Sequence, residues 1–288
     1  MRAIVIAGLV LAASSAHAEV RYASFPSASL RRDVAVAVQV PPSYAEGARR
    51  YPVVYVLHGL FEGHDFWEKR GLSTILEGLW AAKQVPEFLV VAVDGGNSFF
   101  VNGRAGRYED LITRDVTAYV ESAYRVTPGR EGRALLGVSM GGYAAIRIAL
   151  GHPDVFRAAC AHSAMLLETI PTPALGAKGW HMEAFHSAFG DPIDPELWAA
   201  SDPLVLAEKA SPKGAPALYF DCGAQDRYGL YQGNEDLHRR LLARGVAHEF
   251  AILPGSHGYE YVRSVLERSL RFLGSSFQPG PGGSAPAP

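Results

Sequence analysis

The 288-residue chain predicts a doubly wound α/β fold, one mostly parallel sheet with helices on both faces. Apolar runs such as "VVYVL" at 53–57 and "FLVVAV" at 88–93 lack polar alternation, as strands covered on both faces do. Helical periodicity alternates with such runs from residue 53 almost to the end. The 30 glycines and 19 prolines would weaken a helical bundle and suit a fold with many turns.

Taken in order, Arg21–Phe25 and Val34–Val40 read as strands of an antiparallel lead-in that ends at Pro41-Pro42. Val53–Leu57 is a strand, Asp65–Lys83 helix-like, Phe88–Val93 a strand and Glu109–Tyr124 an amphipathic helix. Ala134–Gly137 follows as a strand, then an Ala-rich helix over Gly141–Leu150 and a strand over Ala158–His162. Leu218–Asp221 and His248–Leu253 are the last strands, each followed by a helix, Glu235–Ala243 and Tyr259–Leu273. The predicted single domain covers 19–275.

Residues 1–18 have the form of an export signal: Arg2, an apolar core from Ala3 to Ala13, and the cleavage pattern Ala16-His17-Ala18. That core is too short for a membrane, which takes ~20 apolar residues. The expected protein is therefore exported, periplasmic or secreted, beginning at Glu19 with no stable membrane insertion. A formal charge of −2 without like-charge blocks argues against a nucleic-acid partner. Two cysteines, Cys160 and Cys222, exclude a disulfide framework; both sit at strand ends and could pair only if those strands are neighbours. Residues 276–288, ending in "PGPGGSAPAP", have nothing to bury and are expected to be disordered.

One connection breaks the rhythm. The stretch at about 164–210 carries Trp180, His181, Phe185, Phe189 and Trp198, and reads either as a partial lid over a site or as flank packing.

The chemistry centres on Gly137-Val138-Ser139-Met140-Gly141-Gly142, at a predicted strand-to-helix junction. Such an elbow presents a serine on a strained turn while small neighbours let the backbone pass, and the helix N-terminus aims its dipole at the hydroxyl. A serine hydroxyl is a weak nucleophile, so it needs a base, and the base an orienting acid. Asp226 follows the strand "LYFD" and His257 follows "FAIL", giving the chain order serine, acid, histidine with each residue on a strand-end loop. Asp221 competes as the acid but lies at the strand end, where alternation decides its direction, so Asp226 is preferred. Among the other histidines, His162, His181 and His186 are candidates to line the cleft, but none has His257's strand-end position. The spacing of His181 and His186 does not fit a helical metal pair, and no metal or other cofactor is expected.

Two backbone donors are required for an oxyanion. Met140 supplies one, directly after the serine; Leu60, in the turn His58-Gly59-Leu60-Phe61 after the first parallel strand, supplies the other, with His58 as a structural support. Phe61, Trp67, Phe99, Phe100, Trp180, Tyr228 and Tyr259 are candidates for an apolar acyl or aryl pocket.

The segments "YPVVYVLHGL", "LLGVSMGGYAAIRIALGHPDVF", "DCGAQD" and "PGSHGYEYV" resemble the esterase D family of serine hydrolases. The resemblance runs from about Val34 to Leu273 and implies an α/β-hydrolase fold, a Ser139, Asp226 and His257 triad, and the Leu60 and Met140 oxyanion donors. It departs where the family's usual Asp-Trp after the histidine is Gly258-Tyr259, and "LFEGHDFWEKRG" does not settle a subfamily. The implied activity is serine carboxylesterase hydrolysis of short acyl or aryl esters, small or polysaccharide-linked, through an acyl-enzyme. S-formylglutathione hydrolysis, acyl transfer of the antigen 85 type and an inactive binding protein on the same fold are the alternatives.

Overall fold

In a computed structural model of the chain, residues 18–176 and 181–278 are described. Apart from Ala18, the expected leader lies outside these residues, as do Trp180 and the tail from Pro279. The strands are β1 (Glu19–Ser27), β2 (Arg32–Val40), β3 (Val53–Leu57), β4 (Leu89–Val93), β5 (Asn102–Gly103), β6 (Gly106–Arg107), β7 (Arg133–Val138), β8 (Ala158–His162), β9 (Ala217–Gly223) and β10 (His248–Leu253). The helices are α1 (Phe66–Lys69), α2 (Leu72–Ala81), α3 (Tyr108–Asp110), α4 (Thr117–Ala123), α5 (Met140–Gly151), α6 (Pro173–Gly176), α7 (Met182–Phe189), α8 (Pro195–Ser201), α9 (Pro203–Lys209), α10 (Tyr231–Ala243) and α11 (Tyr259–Ser276).

Among the described residues, eight strands form one sheet in the order β1-β2-β4-β3-β7-β8-β9-β10. β1 pairs antiparallel with β2, and β2 with β4; from β4 to β10 every pair is parallel. This is the mostly parallel α/β-hydrolase architecture expected. The period-2 pleat explains the unbroken apolar runs: Val53, Tyr55 and Leu57 of β3 enter the core under α4, α5 and α10, while Val54 and Val56 enter the core under α1, α2 and α11. All five residues are buried because both faces are covered.

The same alternation settles the cysteines. Cys160 lies in the core on the α11 side and Cys222 in the core on the opposite face, so a strand-to-strand bridge is geometrically closed and both are free and buried.

Several boundaries differ from expectation. The helix expected over Asp65–Lys83 is two helices, broken where Gly71 takes φ 71°, a left-handed value that glycine accommodates without strain. The helix expected over Glu109–Tyr124 contains a π-helical stretch at Leu111–Val116, between α3 and α4. α11 runs past residue 275 to Ser276, and Phe277 packs on Phe88 with ring centroids 6.0 Å apart, so the ordered fold extends beyond the expected limit.

Candidate active site

After β3 the chain lays β4 to one side, then returns to place β7 on the other. A crevice opens at the carboxyl ends of strands where the order reverses in this way, and ligands bind there in open α/β sheets. The loops that meet there follow β3 (His58–Phe61), β7 (Ser139), β9 (Asp226) and β10 (His257).

Ser139 joins β7 to α5 with φ 56° and ψ −113°, a strained backbone for a residue with a side chain. Close packing over-determines it. A Cβ on Gly137 would overlap the Gly141 carbonyl, and one on Gly141 would overlap the Leu57 carbonyl, so the helix start can approach β3 and β7 only with glycine at both positions. Ser139 N–H donates to His162 O (2.9 Å), and Ser139 O accepts from Tyr143 N (2.9 Å) and Met165 N (3.0 Å).

His257 Nε2 lies 3.1 Å from Ser139 Oγ, and His257 Nδ1 lies 2.8 Å from Asp226 Oδ2. The other carboxylate oxygen of Asp226 accepts from Tyr228 N–H at 2.9 Å. Burial alone would raise the Asp226 carboxyl, but the hydrogen bond and charge of His257 and the Tyr228 and Leu230 amides hold it below the usual value. Gln225 ties the two loops together, its N–H donating to Gly255 O (2.9 Å) and its Oε1 accepting from Gly255 N (2.8 Å). Such a chain can take the proton from the serine hydroxyl as it attacks and hold the resulting imidazolium.

A cavity of about 250 Å³ opens on this chain. Its wall includes Gly59, Leu60, Phe61, Ser139, Met165, His181, Tyr228, His257 and Tyr259. Met140, first residue of α5, is fully buried behind the serine, and its N–H belongs to the first helical turn, which has no intrahelical acceptor. Of the aromatics expected there, Phe61, Tyr228 and Tyr259 line this cavity, with the Tyr228 ring edge-on to His257 at 5.0 Å.

Three expected pocket aromatics are elsewhere. Trp67 is 2% exposed in the α1–α2 core, where its indole N–H donates to Gln39 Oε1 at 2.7 Å. Phe99 packs with Phe185, Phe189 and Tyr143, and Phe100 against His58. Large apolar side chains are among the residues most often buried, and these three fill the core. Trp180 lies outside the described residues. In the long connection, Phe185, Phe189 and Trp198 pack into the flank, whereas Met165 and His181 reach the pocket wall. The polar wall residues Glu62, Arg70 and Arg227 carry no sequence signal except that Arg227 sits between Asp226 and Tyr228.

Of the remaining histidines, His152 bonds Glu109, His186 approaches Asp191, and His238 pairs with His248. His162 and the competing acid Asp221 form a second chain, wholly buried. His162 Nδ1 is 3.0 Å from both Asp221 oxygens and its Nε2 is 2.9 Å from Ser269 Oγ. Tyr219 and Tyr261 hydroxyls donate to the same carboxylate at 2.8 Å. Asp221 is thus committed away from Ser139. Among the described residues no group of three or more His, Cys, Asp or Glu side chains could hold a metal ion.

A family model described as putative esterase matches residues 27–273. An esterase of Mycobacterium tuberculosis is 26% identical over 263 residues, covering 82% of this chain and 55% of that protein. The diacylglycerol acyltransferase/mycolyltransferase Ag85A of Mycobacterium leprae is 29% identical over 204 residues, covering 65% of this chain and 57% of that protein. The chain thus spans about half the length of these curated relatives. A solved ferulic acid esterase matches it with a TM-score of 0.77 at 25% identity, over 91% of this chain and 99% of the other.

Proposed function

The chain belongs to this esterase family, and from that premise we propose that it is an exported serine carboxylesterase acting on short acyl or small aryl esters. One observation carries the reading: the continuous hydrogen-bonded chain Ser139, His257, Asp226 opening onto a cavity of about 250 Å³. That volume falls just below the ~300 Å³ where pockets for drug-sized ligands begin, which suits a short acyl group or a single ring. Export rests on the pattern of residues 1–18.

In the proposed reaction Ser139 Oγ attacks the ester carbonyl while His257 Nε2 takes its proton. Asp226 fixes the imidazole tautomer and balances its charge, and the Leu60 and Met140 amides receive the tetrahedral oxyanion. His257 then gives its proton to the leaving alcohol. Water, activated by the same imidazole, releases the acid from Ser139 and restores the hydroxyl.

The test is kcat/KM on p-nitrophenyl esters of increasing chain length, methyl ferulate, acetylated xylan and S-formylglutathione, with Ser139→Ala and His257→Ala as controls. Both variants are expected to lose at least about 10³-fold in kcat, while His152→Ala, whose imidazole bonds Glu109, retains activity. Near-native turnover in either variant sinks the assignment. The likeness to a mycolyltransferase favours acyl transfer as a second reading. Added sugar or glycerol diverting the acyl group from water would select it.

A further inference from the structure

The turn that carries Leu60 is held from behind by the loop after β4. His58 is fully buried, its Nδ1 2.8 Å from Gly59 O and its Nε2 3.0 Å from Gly95 N. An amide N–H can only donate, so Nε2 is the acceptor and Nδ1 carries the proton, which it donates to the Gly59 carbonyl. The Gly59 C=O and the Leu60 N–H belong to one trans peptide and point in opposite directions. Drawing the carbonyl back toward His58 therefore turns the Leu60 N–H away from His58. Gly59 itself backs onto Ser139: a Cβ built there would lie 3.7 Å from Ser139 Cβ.

The next amide is committed to the same loop. Phe61 N–H donates to Asn97 Oδ1 at 2.9 Å, with Phe61 at φ 64° and its ring turned outward, 57% exposed. The holding loop is braced in turn. Ser98 Oγ donates to Gly95 O (2.6 Å) and accepts from Phe100 N (3.0 Å), and Gly96 N donates to Asp94 Oδ1 (3.1 Å).

We propose that the loop after β4 is a positioning device: through Gly95 N–H on His58 and Asn97 on Phe61 N–H, it fixes the Gly59–Leu60 peptide with the Leu60 N–H toward the oxyanion. The proposal rests on the reading of Ser139 as nucleophile and Leu60 as oxyanion donor. Reversal of that peptide would aim a carbonyl oxygen at the developing negative charge. Burial also pushes the His58 imidazole down, favouring the neutral form that the two bonds require.

Asn97→Ala, His58→Ala and His58→Gln are compared with the unaltered enzyme and Ser139→Ala on p-nitrophenyl acetate. The readouts are kcat, KM, the inhibition constant of a trifluoromethyl ketone, which forms the tetrahedral oxyanion, and thermal unfolding. Loss of a whole oxyanion donor costs about 10²–10³-fold in kcat. Loosening its peptide through Asn97→Ala is expected to lower kcat about tenfold with KM within about twofold, and to weaken the ketone in the same proportion. His58→Ala is expected to lose more, and His58→Gln, whose amide carries both a donor and an acceptor, to recover part of it. If the buried His58 variants do not fold, Asn97 decides the matter. A folded Asn97→Ala enzyme with kcat and ketone affinity within twofold of the unaltered enzyme overturns the positioning role. If Ser139→Ala is inactive in the same experiment, the serine reading stands without it; if Ser139→Ala is active, both fall.

Discussion

Replacing Asp226 by asparagine changes one atom, and the structure dictates where that atom must go. Asp226 Oδ1 accepts from Tyr228 N–H at 2.9 Å, and the Leu230 amide also donates to this carboxylate. Turning the new NH2 toward these backbone donors would set donor against donor, so its oxygen stays with the amides. The NH2 then replaces Oδ2, 2.8 Å from His257 Nδ1. His257 must accept there and carry its proton on Nε2, 3.1 Å from Ser139 Oγ, where a base is needed. The imidazole is held in place but in the wrong tautomer. A wrong tautomer of this kind lowers kcat about 10⁴-fold in a serine protease, equivalent to about 5 kcal/mol of transition-state stabilisation. Asp226→Asn should therefore keep its unfolding temperature and its KM within about threefold, and lose kcat on p-nitrophenyl acetate by about 10⁴. A folded variant within tenfold of the unaltered kcat would refute the reasoning, because the chain from Asp226 to Ser139 would then not carry the reaction.

Two further substitutions test what holds the site. Burial alone would raise the Glu109 carboxyl, but hydrogen bonds from His152 and Arg147 and their charges bring it down to about 2. A folded-state value below the unfolded one gives stability that is present above about pH 4.5 and lost as pH falls toward 2. Glu109→Gln should thus unfold at lower urea concentration at pH 7, by an amount that shrinks as pH approaches 2.5; a gap that is constant with pH counts against this linkage. Asp221→Asn places an NH2 among His162, Tyr219 and Tyr261, all donors to the carboxylate, and should destabilise by about 2–4 kcal/mol while kcat of the folded enzyme stays within about threefold. An Asp221→Asn enzyme of normal stability whose kcat falls as far as that of Asp226→Asn would make Asp221 the acid.

How much could be read from the residues depended on what each signal reports. Strands such as Val53–Leu57 and Leu89–Val93 were legible because burial on both faces leaves no polar position in them. β5 and β6 were not. Each is two residues long, and the hairpin is defined by packing against α7, where Arg104 N donates to Ala188 O at 2.9 Å. That Ser139, Asp226 and His257 come together was legible through chain order and their places after strands. The pocket wall was legible only in part, because aromatic character does not distinguish Phe61, 57% exposed at the rim, from Phe99 and Phe100, at 1% and 0% in the core. Arg70 and Arg227 were missed for the opposite reason: a charged residue on a loop is ordinarily solvated, and only the fold brings these two to one opening.

The two Ser-His-Asp chains differ in what their surroundings allow them to do. Both have serine, imidazole and carboxylate within hydrogen-bond distance, and both use residues near the ends of β7 to β10 or on α11. Position relative to β9 divides them: Asp221 lies within the strand, Asp226 three residues past its end. His162 and Asp221 are register partners on adjacent strands and face Ser269 of α11, so their pleat buries them completely. Asp226 lies past the strand, in a turn, and its imidazole keeps 11% of its side chain exposed toward the cavity. A base that exchanges protons with a substrate needs that access, whereas the buried chain can only hold. What it holds is relevant to the outer chain. Tyr261 donates to Asp221 from the first turn of α11, four residues after His257, and its ring packs against Gly255 in the loop that carries His257. The inner aspartate thus ties the start of α11 to β9, a contribution to stability from a carboxylate that never meets substrate.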